Sequence, residues 1–289
     1  MYTRYIRRLF LVSIIYLTIA LFFYEITTWL WREFKGTTQH CSIHTKRGAK
    51  NIVNVGVLLM ATGKYADYAS PFVDAARTFF LSSTCNSTSF FKVYYYIFSN
   101  RLEKIPGGSD IIPIAHDKMG WPYDSMMRCS AYVKALSNHT INPVHRLDYL
   151  FSIDTDVRFV RPVGEEVLGK LVGTLHPGYV TEPGKWERNR SSAAFVEMGE
   201  EKHYYTGAIF GGAFKEFIDA CMEIDLSARI DLARNVIASW HDESHLNRYF
   251  VDHPPELILP PIYYWPEEWE WNFAAKLLAL KKKHFEMRQ

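Results

Sequence analysis

The sequence predicts an α/β fold that presents its ligands at the ends of buried strands, and three observations carry that prediction. Strand-like apolar runs alternate with segments whose apolar residues recur at helical spacing. The stretch Leu150-Phe151-Ser152-Ile153-Asp154-Thr155-Asp156-Val157-Arg158-Phe159 is a short apolar run that delivers two carboxylates where it ceases to be apolar, and strand ends are where covered sheets gather ligands. A chain of 289 residues that is 48% hydrophobic and 16% aromatic can bury a large core, so one main folded domain is the default.

The formal net charge of +2 argues against recognition of nucleic acid through a basic face. Cys41, Cys85, Cys129 and Cys221 are widely spaced and form no Cys-x-x-Cys pair, so they read as buried or free thiols with room for one disulfide.

Taken in order, the chain opens with Arg4, Arg7 and Arg8, followed by residues 9–24, which carry no charge. Glu25 interrupts before apolar character resumes through Trp29, Leu30 and Trp31, and residues 9–31 together reach the length of a bilayer span. A carboxylate and tryptophans near one end suit the headgroup region. A cleaved signal peptide is the rival reading, but the apolar stretch is long for one and no Ala-x-Ala site follows. The expectation is a signal anchor with residues 1–8 cytoplasmic, 32–50 an exposed stem and 51–289 the folded body. Asn-x-Ser/Thr sequons at Asn86, Asn138 and Asn189 are compatible with a lumenal body.

Residues 52–60 read as a first buried strand, Ala61-Thr62-Gly63-Lys64-Tyr65 as a loop and 68–81 as a helix. A loop at the end of a first strand is where such a fold would receive a nucleotide, although no Gly-x-Gly-x-x-Gly is present. Residues 90–98 read as a second strand, 101–110 as a turn-rich connection, and 125–136 as a helix capped by Asp124 or Ser125 that brings Arg128 just before the Asp-Thr-Asp strand. Hard carboxylate oxygens at Asp154 and Asp156 suit Mg²⁺ or Mn²⁺, which would in turn hold a diphosphate. Beyond them, 163–171 suits a helix broken by Gly173-Thr174-Leu175-His176-Pro177-Gly178, and 184–192 an exposed polar loop with Trp186, Glu187, Arg188 and Arg190.

In His203-Tyr204-Tyr205-Thr206-Gly207-Ala208-Ile209-Phe210-Gly211-Gly212, small residues flanked by aromatics suit either a sugar-binding floor or a strand packed at a tight crossing. Residues 215–224 and 228–237 read as two amphipathic helices. The segment Trp240-His241-Asp242-Glu243-Ser244-His245 concentrates titratable groups. It reads in three ways: an imperfect His-Glu-x-x-His zinc site on His241 and His245, a sugar site with Asp242 and Glu243 beside a Trp240 platform, or a plain helix start. Lys281-Lys282-Lys283-His284 and Arg288 form a cationic tail, solvated or folded over a bound diphosphate.

These stretches together resemble glycosyltransferase family 6, the family of the ABO blood-group transferases, the alpha-1,3-galactosyltransferase and the Forssman and isogloboside synthases. The similarity covers about residues 53–288. Its most specific pieces are Trp240-His241-Asp242-Glu243-Ser244-His245-Leu246-Asn247, Tyr204-Tyr205 through Gly211-Gly212, and Gly173-Thr174-Leu175-His176-Pro177-Gly178, set in order around Asp154-Thr155-Asp156. The resemblance implies a GT-A fold with its Rossmann-like nucleotide-binding sheet, a type II Golgi membrane topology, a UDP-galactose or UDP-N-acetylgalactosamine donor, Mn²⁺, and transfer with retention to a beta-galactoside-type acceptor. It implies that Asp154 and Asp156 are the metal ligands within the Asp154-Thr155-Asp156 donor motif. Met60, Ala61, Thr62 and Tyr65 would form the uridine loop, with Arg128, Lys282 and Arg288 as donor-site cations. Asp242 would hold the donor sugar, Glu243 would be the nucleophile or the group that stabilises the transition state, and His176 and Trp240 would face the acceptor.

Two departures qualify this. The family usually has Asp after Trp near the acceptor site, where this chain has Trp265-Pro266 with Glu267 next, so a displaced carboxylate or a different acceptor is implied. The donor-selecting triplet is Thr206-Gly207-Ala208, and a methyl at Ala208 narrows the space for an acetamido group, which favours galactose.

Overall fold

The computed structural model describes residues 51–82, 89–137, 146–270 and 274–282. The anchor and stem readings over 1–50, the residues Cys41, Cys85, Asn86, Asn138 and Arg288, and most of the tail lie outside the described residues. Among the described residues no helix is long and apolar enough to cross a membrane.

Four strands rich in β-branched and aromatic residues build the first half of the sheet. They are β1 (Asn51–Met60), β2 (Ser89–Ser99), β3 (Ile111–Ala115) and β4 (Tyr149–Ile153), all mutually parallel in the order β3-β2-β1-β4. Next to β4 comes β7 (Tyr205–Ala213), which runs antiparallel, then β6 (Leu171–Leu175) and β8 (Leu257–Leu259), completing a seven-stranded sheet. A second, three-stranded sheet orders β5 (Val157–Phe159), β10 (Leu277–Ala279) and β9 (Trp265–Pro266).

Helices cover both faces, so the strands are buried on both sides. On one face α1 (Ala69–Phe79) brings Phe72 and Val73 onto Val55, Val57 and Leu59 of β1 and Phe151 and Ile153 of β4. On the other, α2 (Arg128–Leu136) and α3 (Phe214–Ala233) bring Tyr132, Phe217 and Ile224 onto Leu58, Tyr96, Leu150 and Phe210. Each large side chain fully removed from water in this way contributes roughly 1.5–3 kcal/mol. The free thiols Cys129 and Cys221 are buried in this second cluster, as read from their spacing.

The topology places the site. Because β1 and β4 are parallel, Met60 and Asp154 leave the sheet at the same edge, and because β7 is antiparallel its start lies there too. The Asp154 N–H donates to the Ala208 carbonyl at 2.9 Å, so the end of one strand is sewn to the start of the other. Within the His203–Gly212 stretch, the part from Tyr205 on is therefore a buried strand at a tight crossing: a Cβ on Gly211 would lie 2.3 Å from the Phe151 ring and 2.7 Å from the Leu150 carbonyl oxygen.

Four elements differ from the sequence reading. Residues 163–171 are not a helix: a 3-10 turn at Glu165–Val167 leads into β6, and Gly173 is a strand residue whose missing side chain admits Tyr205 and Pro255. The strand β3 is additional. The helix read at 125–136 is broken into a turn of helix at Tyr123–Met126 and α2, and neither start is capped by a side chain. Asp124 instead accepts from the Met119 and Gly120 N–H groups. The two helices read at 215–237 are one, α3, continuous through an Asp225–Arg229 pair.

Candidate active site

A cleft of about 240 Å³ opens at this sheet edge. It is lined by Met60, Thr62 and Tyr65 after β1, Arg128 from α2, Asp154, Thr155 and Asp156 after β4, and Thr206, Gly207 and Ala208 from β7. His176, Trp240, Asp242, Glu243 and Lys282 complete the predicted set within it. Ala61 stands behind the wall, fully buried in the core, its carbonyl taken by the Ser99 hydroxyl. Lys118, Trp121 and Tyr264 also line the cleft without any sequence signal, as do Asp124 and Ser125, read from the sequence only as helix caps, and His241, read only as a zinc-ligand candidate. The run His116 to Ser125 holds polar and aromatic residues without periodicity, and nothing in its pattern says which way it faces.

Arg128 is the electrostatic hub. Only 7% exposed, it places Nη1 2.8 Å from Asp154 Oδ1 and Nη2 3.1 Å from Asp242 Oδ2. Its Nε donates to the Ser125 carbonyl at 3.2 Å, which fixes the guanidinium plane. Burial works to discharge it, but Asp242 and Asp154 outweigh that and hold its pKa well above the usual arginine value. Burial raises the Asp242 carboxyl, and Arg128 opposes the rise.

Asp156 is buried and ion-paired with Lys282, whose Nζ also lies 5.1 Å over the Tyr65 ring. The Thr155 hydroxyl donates to the Met60 carbonyl at 3.2 Å, tying the nucleotide-loop candidate to the Asp-Thr-Asp turn. Both aspartates present hard oxygens to one cleft, and among the described residues no three His, Cys, Asp or Glu side chains are grouped as a metal-ligand set. A donor set of two carboxylates, with the remaining positions left to water and phosphate oxygens, fits Mg²⁺ or Mn²⁺ held together with a substrate.

The carboxylates of the Trp240–His245 segment are aimed by an unusual helix start. His241 takes φ 52°, a costly region for a residue with a side chain, and α4 (Asp242–Asp252) begins at once. Asp242 and Glu243 thus occupy the first turn, where the helix dipole favours negative charge. Asn247 pins this turn to β7, accepting from the Tyr205 N–H and donating to the Tyr205 carbonyl, both at 2.8 Å. Glu243 receives two donors, the Tyr204 hydroxyl at 2.9 Å on Oε1 and the Gly207 N–H at 2.8 Å on Oε2. Burial raises its pKa to about 7 against the pull of those two hydrogen bonds.

His241 and His245 do not form a shared metal face. The His241 ring packs edge-on against Trp121 at 4.8 Å, while His245 is buried with Nδ1 2.8 Å from the Ser227 hydroxyl and Nε2 3.7 Å from Asp231. Burial lowers the His245 pKa, and the ring belongs through Ser227 to a buried polar cluster in which Ser192 donates to Asp231.

Behind His176 and Trp240, which line the cleft, stands a group of aromatic rings. His176, Tyr179 and Trp186 pack around the Tyr204 ring, and the Lys185 ammonium lies 4.2 Å over Trp240. Burial, then the charge of Lys185, depresses His176 to about 4, so it is neutral at pH 7. Glu267 is turned away from the cleft: it pairs with Arg158 at 2.9 Å and accepts from the Lys281 N–H at 3.1 Å, and neither it nor Pro266 lines the cleft.

A parallel-rich sheet with a charged cleft at its strand ends is a GT-A-like architecture. The chain belongs to glycosyltransferase family 6, whose model matches residues 22–289. It is 35% identical over 226 residues to globoside alpha-1,3-N-acetylgalactosaminyltransferase 1 of Canis lupus familiaris, covering 74% of this chain and 62% of that protein. It is 31% identical over 247 residues to histo-blood group ABO system transferase 2 of Rattus norvegicus, covering 81% of this chain and 71% of the relative. Similarity extends to the O-antigen biosynthesis glycosyltransferase WbnI of Escherichia coli, 26% identical over 79% of this chain and 95% of that protein.

Proposed function

We propose that this protein is a retaining glycosyltransferase that moves galactose or N-acetylgalactosamine from a UDP-sugar, in alpha-1,3 linkage, onto a beta-galactoside-type acceptor of a glycoprotein or glycolipid. The observation that supports this most is the gathering of Arg128, Asp154, Asp156, Asp242 and Glu243 from separate elements into one cleft of a family 6 chain. On this reading Asp154 and Asp156 hold Mn²⁺, which when bound would offset the charge of the diphosphate.

The chain's own groups do the remaining work. Met60, Thr62 and Tyr65 receive the uridine, and Lys282, with Arg288 beyond the described residues, adds positive charge beside the leaving phosphate. Asp242 accepts hydrogen bonds from donor-sugar hydroxyls, while Thr206, Gly207 and Ala208 shape the space around its second carbon. His176, as a neutral ring, and Trp240, 42% exposed, receive the acceptor sugar. As the bond from the anomeric carbon to the UDP oxygen breaks, its electron pair leaves with UDP. Glu243 stabilises the positive charge that develops. The acceptor hydroxyl forms the new bond on the same face and passes its proton to the departing phosphate oxygen. Residues 9–31 reach the length of a bilayer span with Arg4, Arg7 and Arg8 before them, which supports a membrane anchor, and by resemblance to its family the protein is proposed to sit in the Golgi membrane as a type II protein with this domain lumenal.

The test is a matrix of UDP-galactose and UDP-N-acetylgalactosamine against beta-galactoside acceptors with and without fucose, assayed with Mn²⁺ and with chelator. Mn²⁺-dependent transfer from either donor is expected. Absence of both transfer and UDP release in every cell of the matrix, with zinc held tightly instead, would sink the reading.

A further inference from the structure

Glu243 is held by two groups that differ in kind. The Gly207 N–H belongs to the strand and cannot be removed without moving β7, whereas the Tyr204 hydroxyl is a side chain placed 39 residues before its partner. We propose that Tyr204 is a positioning residue for the transfer reaction: its hydroxyl, with the Gly207 N–H, clamps the Glu243 carboxylate at both oxygens and fixes where its charge faces the anomeric carbon. This rests on the reading of Glu243 as the carboxylate that meets the developing positive charge.

The surroundings of the ring show that its position is built rather than incidental. Tyr204 is 3% exposed, so its hydroxyl would carry a desolvation cost without a partner. Three rings hold its edges: Tyr179 at 5.1 Å, Trp186 at 5.1 Å and His176 at 5.9 Å. The backbone presses on it at Gly184, where an added Cβ would fall 2.4 Å from the ring. The neighbouring Tyr205, the first residue of β7, packs on Phe250 at 4.9 Å in the core. One tyrosine of the pair is therefore a packing residue, and the other stands behind the cleft and reaches Glu243.

A carboxylate bonded at only one oxygen can rotate about its terminal torsion, which has broad, soft minima. Two donors remove that freedom before substrate arrives, and a group oriented in advance contributes more to the transition state than one that must reorient. Tyr204 also links the two halves of the cleft, because the rings that hold it include His176 of the acceptor side. The effect of losing its hydroxyl falls on the chemical step rather than on binding, since Tyr204 does not line the open cleft itself.

The experiment compares Tyr204→Phe, Glu243→Gln and the double variant in the full chain, using whichever donor and acceptor the wild type turns over. Phenylalanine keeps the ring contacts and removes one oxygen. The expected result for Y204F is a kcat lower by roughly 10- to 100-fold, with donor and acceptor KM within about twofold of wild type and an unchanged thermal midpoint. In the double variant the loss should be no greater than in E243Q alone, because the hydroxyl reaches turnover through that carboxylate at 2.9 Å, while its other near acceptor is the Lys185 backbone carbonyl at 3.3 Å. A wild-type kcat in Y204F overturns the clamp, as does a KM rise at unchanged kcat or a double variant whose losses multiply. Wild-type turnover by E243Q overturns the Glu243 reading and the clamp with it, whereas an inactive E243Q beside a fully active Y204F overturns the clamp alone.

Discussion

The charged and aromatic walls of the cleft are built on different parts of the fold. The charged wall, Arg128, Asp154, Asp156, Asp242 and Lys282, stands on strand ends and at or near helix starts, and its charges already answer one another. The aromatic wall presents His176 and Trp240 to the cleft with Tyr179, Trp186 and Tyr204 behind them; it is carried mostly on loops, and its rings hold one another in place. The difference teaches what each wall asks of a ligand. An anion entering the charged wall must exchange with existing ion pairs, so affinity there depends on charge balance. A ligand on the aromatic wall meets preformed surface, so affinity there depends on shape and area.

The comparison breaks most visibly at Arg128. Replacing it with leucine leaves Asp154 and Asp242 without their shared cation, and stability should fall by about 3 kcal/mol, the low end for breaking a buried pair because Asp154 keeps some contact with water. Urea unfolding of R128L against wild type measures this, and equal midpoints would show that the charged wall is not compensated internally.

A loss confined to ligand binding is expected next, at Asp156→Asn. The fold is retained, while Mn²⁺-dependent UDP binding measured by calorimetry weakens by at least about tenfold, corresponding to roughly 1.4 kcal/mol. Acceptor binding measured alone should not change, and a matching loss there would merge the two walls into one.

Glu243 lies between the walls and its prediction depends on pH. Its folded pKa, raised by burial to about 7, lies above the ordinary glutamate value of 4.5. The folded state therefore binds the proton more tightly than the unfolded chain, and this contribution to stability is present below about 4.5 and is lost as pH rises through about 7. Glu243→Gln should accordingly stabilise the protein by on the order of 1–3 kcal/mol at pH 8 and by much less at pH 4.5. Thermal midpoints across that range test the sign, and a benefit that grows towards acid would refute it.

The smallest effects sharpen the aromatic wall. Lys185→Ala should raise acceptor KM by roughly 3- to 10-fold with donor KM unchanged, since the ammonium over Trp240 is worth about 1 kcal/mol at an exposed site. Glu267→Gln, which loses an exposed ion pair with Arg158, should cost less than about 1 kcal/mol in stability and leave acceptor KM alone. A large acceptor effect at Glu267 would restore it as an acceptor carboxylate.

How far these walls were legible follows from where their residues lie. The strands β1, β2 and β4 read correctly because a strand covered on both faces is a continuous apolar run. The strand β3 was missed because it stands at the sheet edge, alternates in exposure and contains Pro113, which an edge strand tolerates. Residues 163–171 mimic a helix because Val163, Val167 and Leu171 fall four apart, although each is buried for a different reason, at a bridge to Phe80, in a 3-10 turn and in β6. The charged wall was nearly complete in the sequence, since most of it rides on strand-end and helix-start motifs. The aromatic wall was legible only in part, at His176 and Trp240, because loop residues without periodicity carry no signal of direction.

By itself, then, the sequence determined the α/β class of the core, the position of Asp154 and Asp156 at a strand end, and membership of a family whose motifs lie in order along the chain. Only the tertiary structure decided that Arg128 bridges Asp154 and Asp242, that Glu267 turns to Arg158, and that Tyr204 rather than Tyr205 reaches Glu243. The physical reason is that apolar periodicity specifies which face of an element is buried, whereas the meeting of two polar side chains across a sheet edge depends on register and strand direction, which local pattern does not encode.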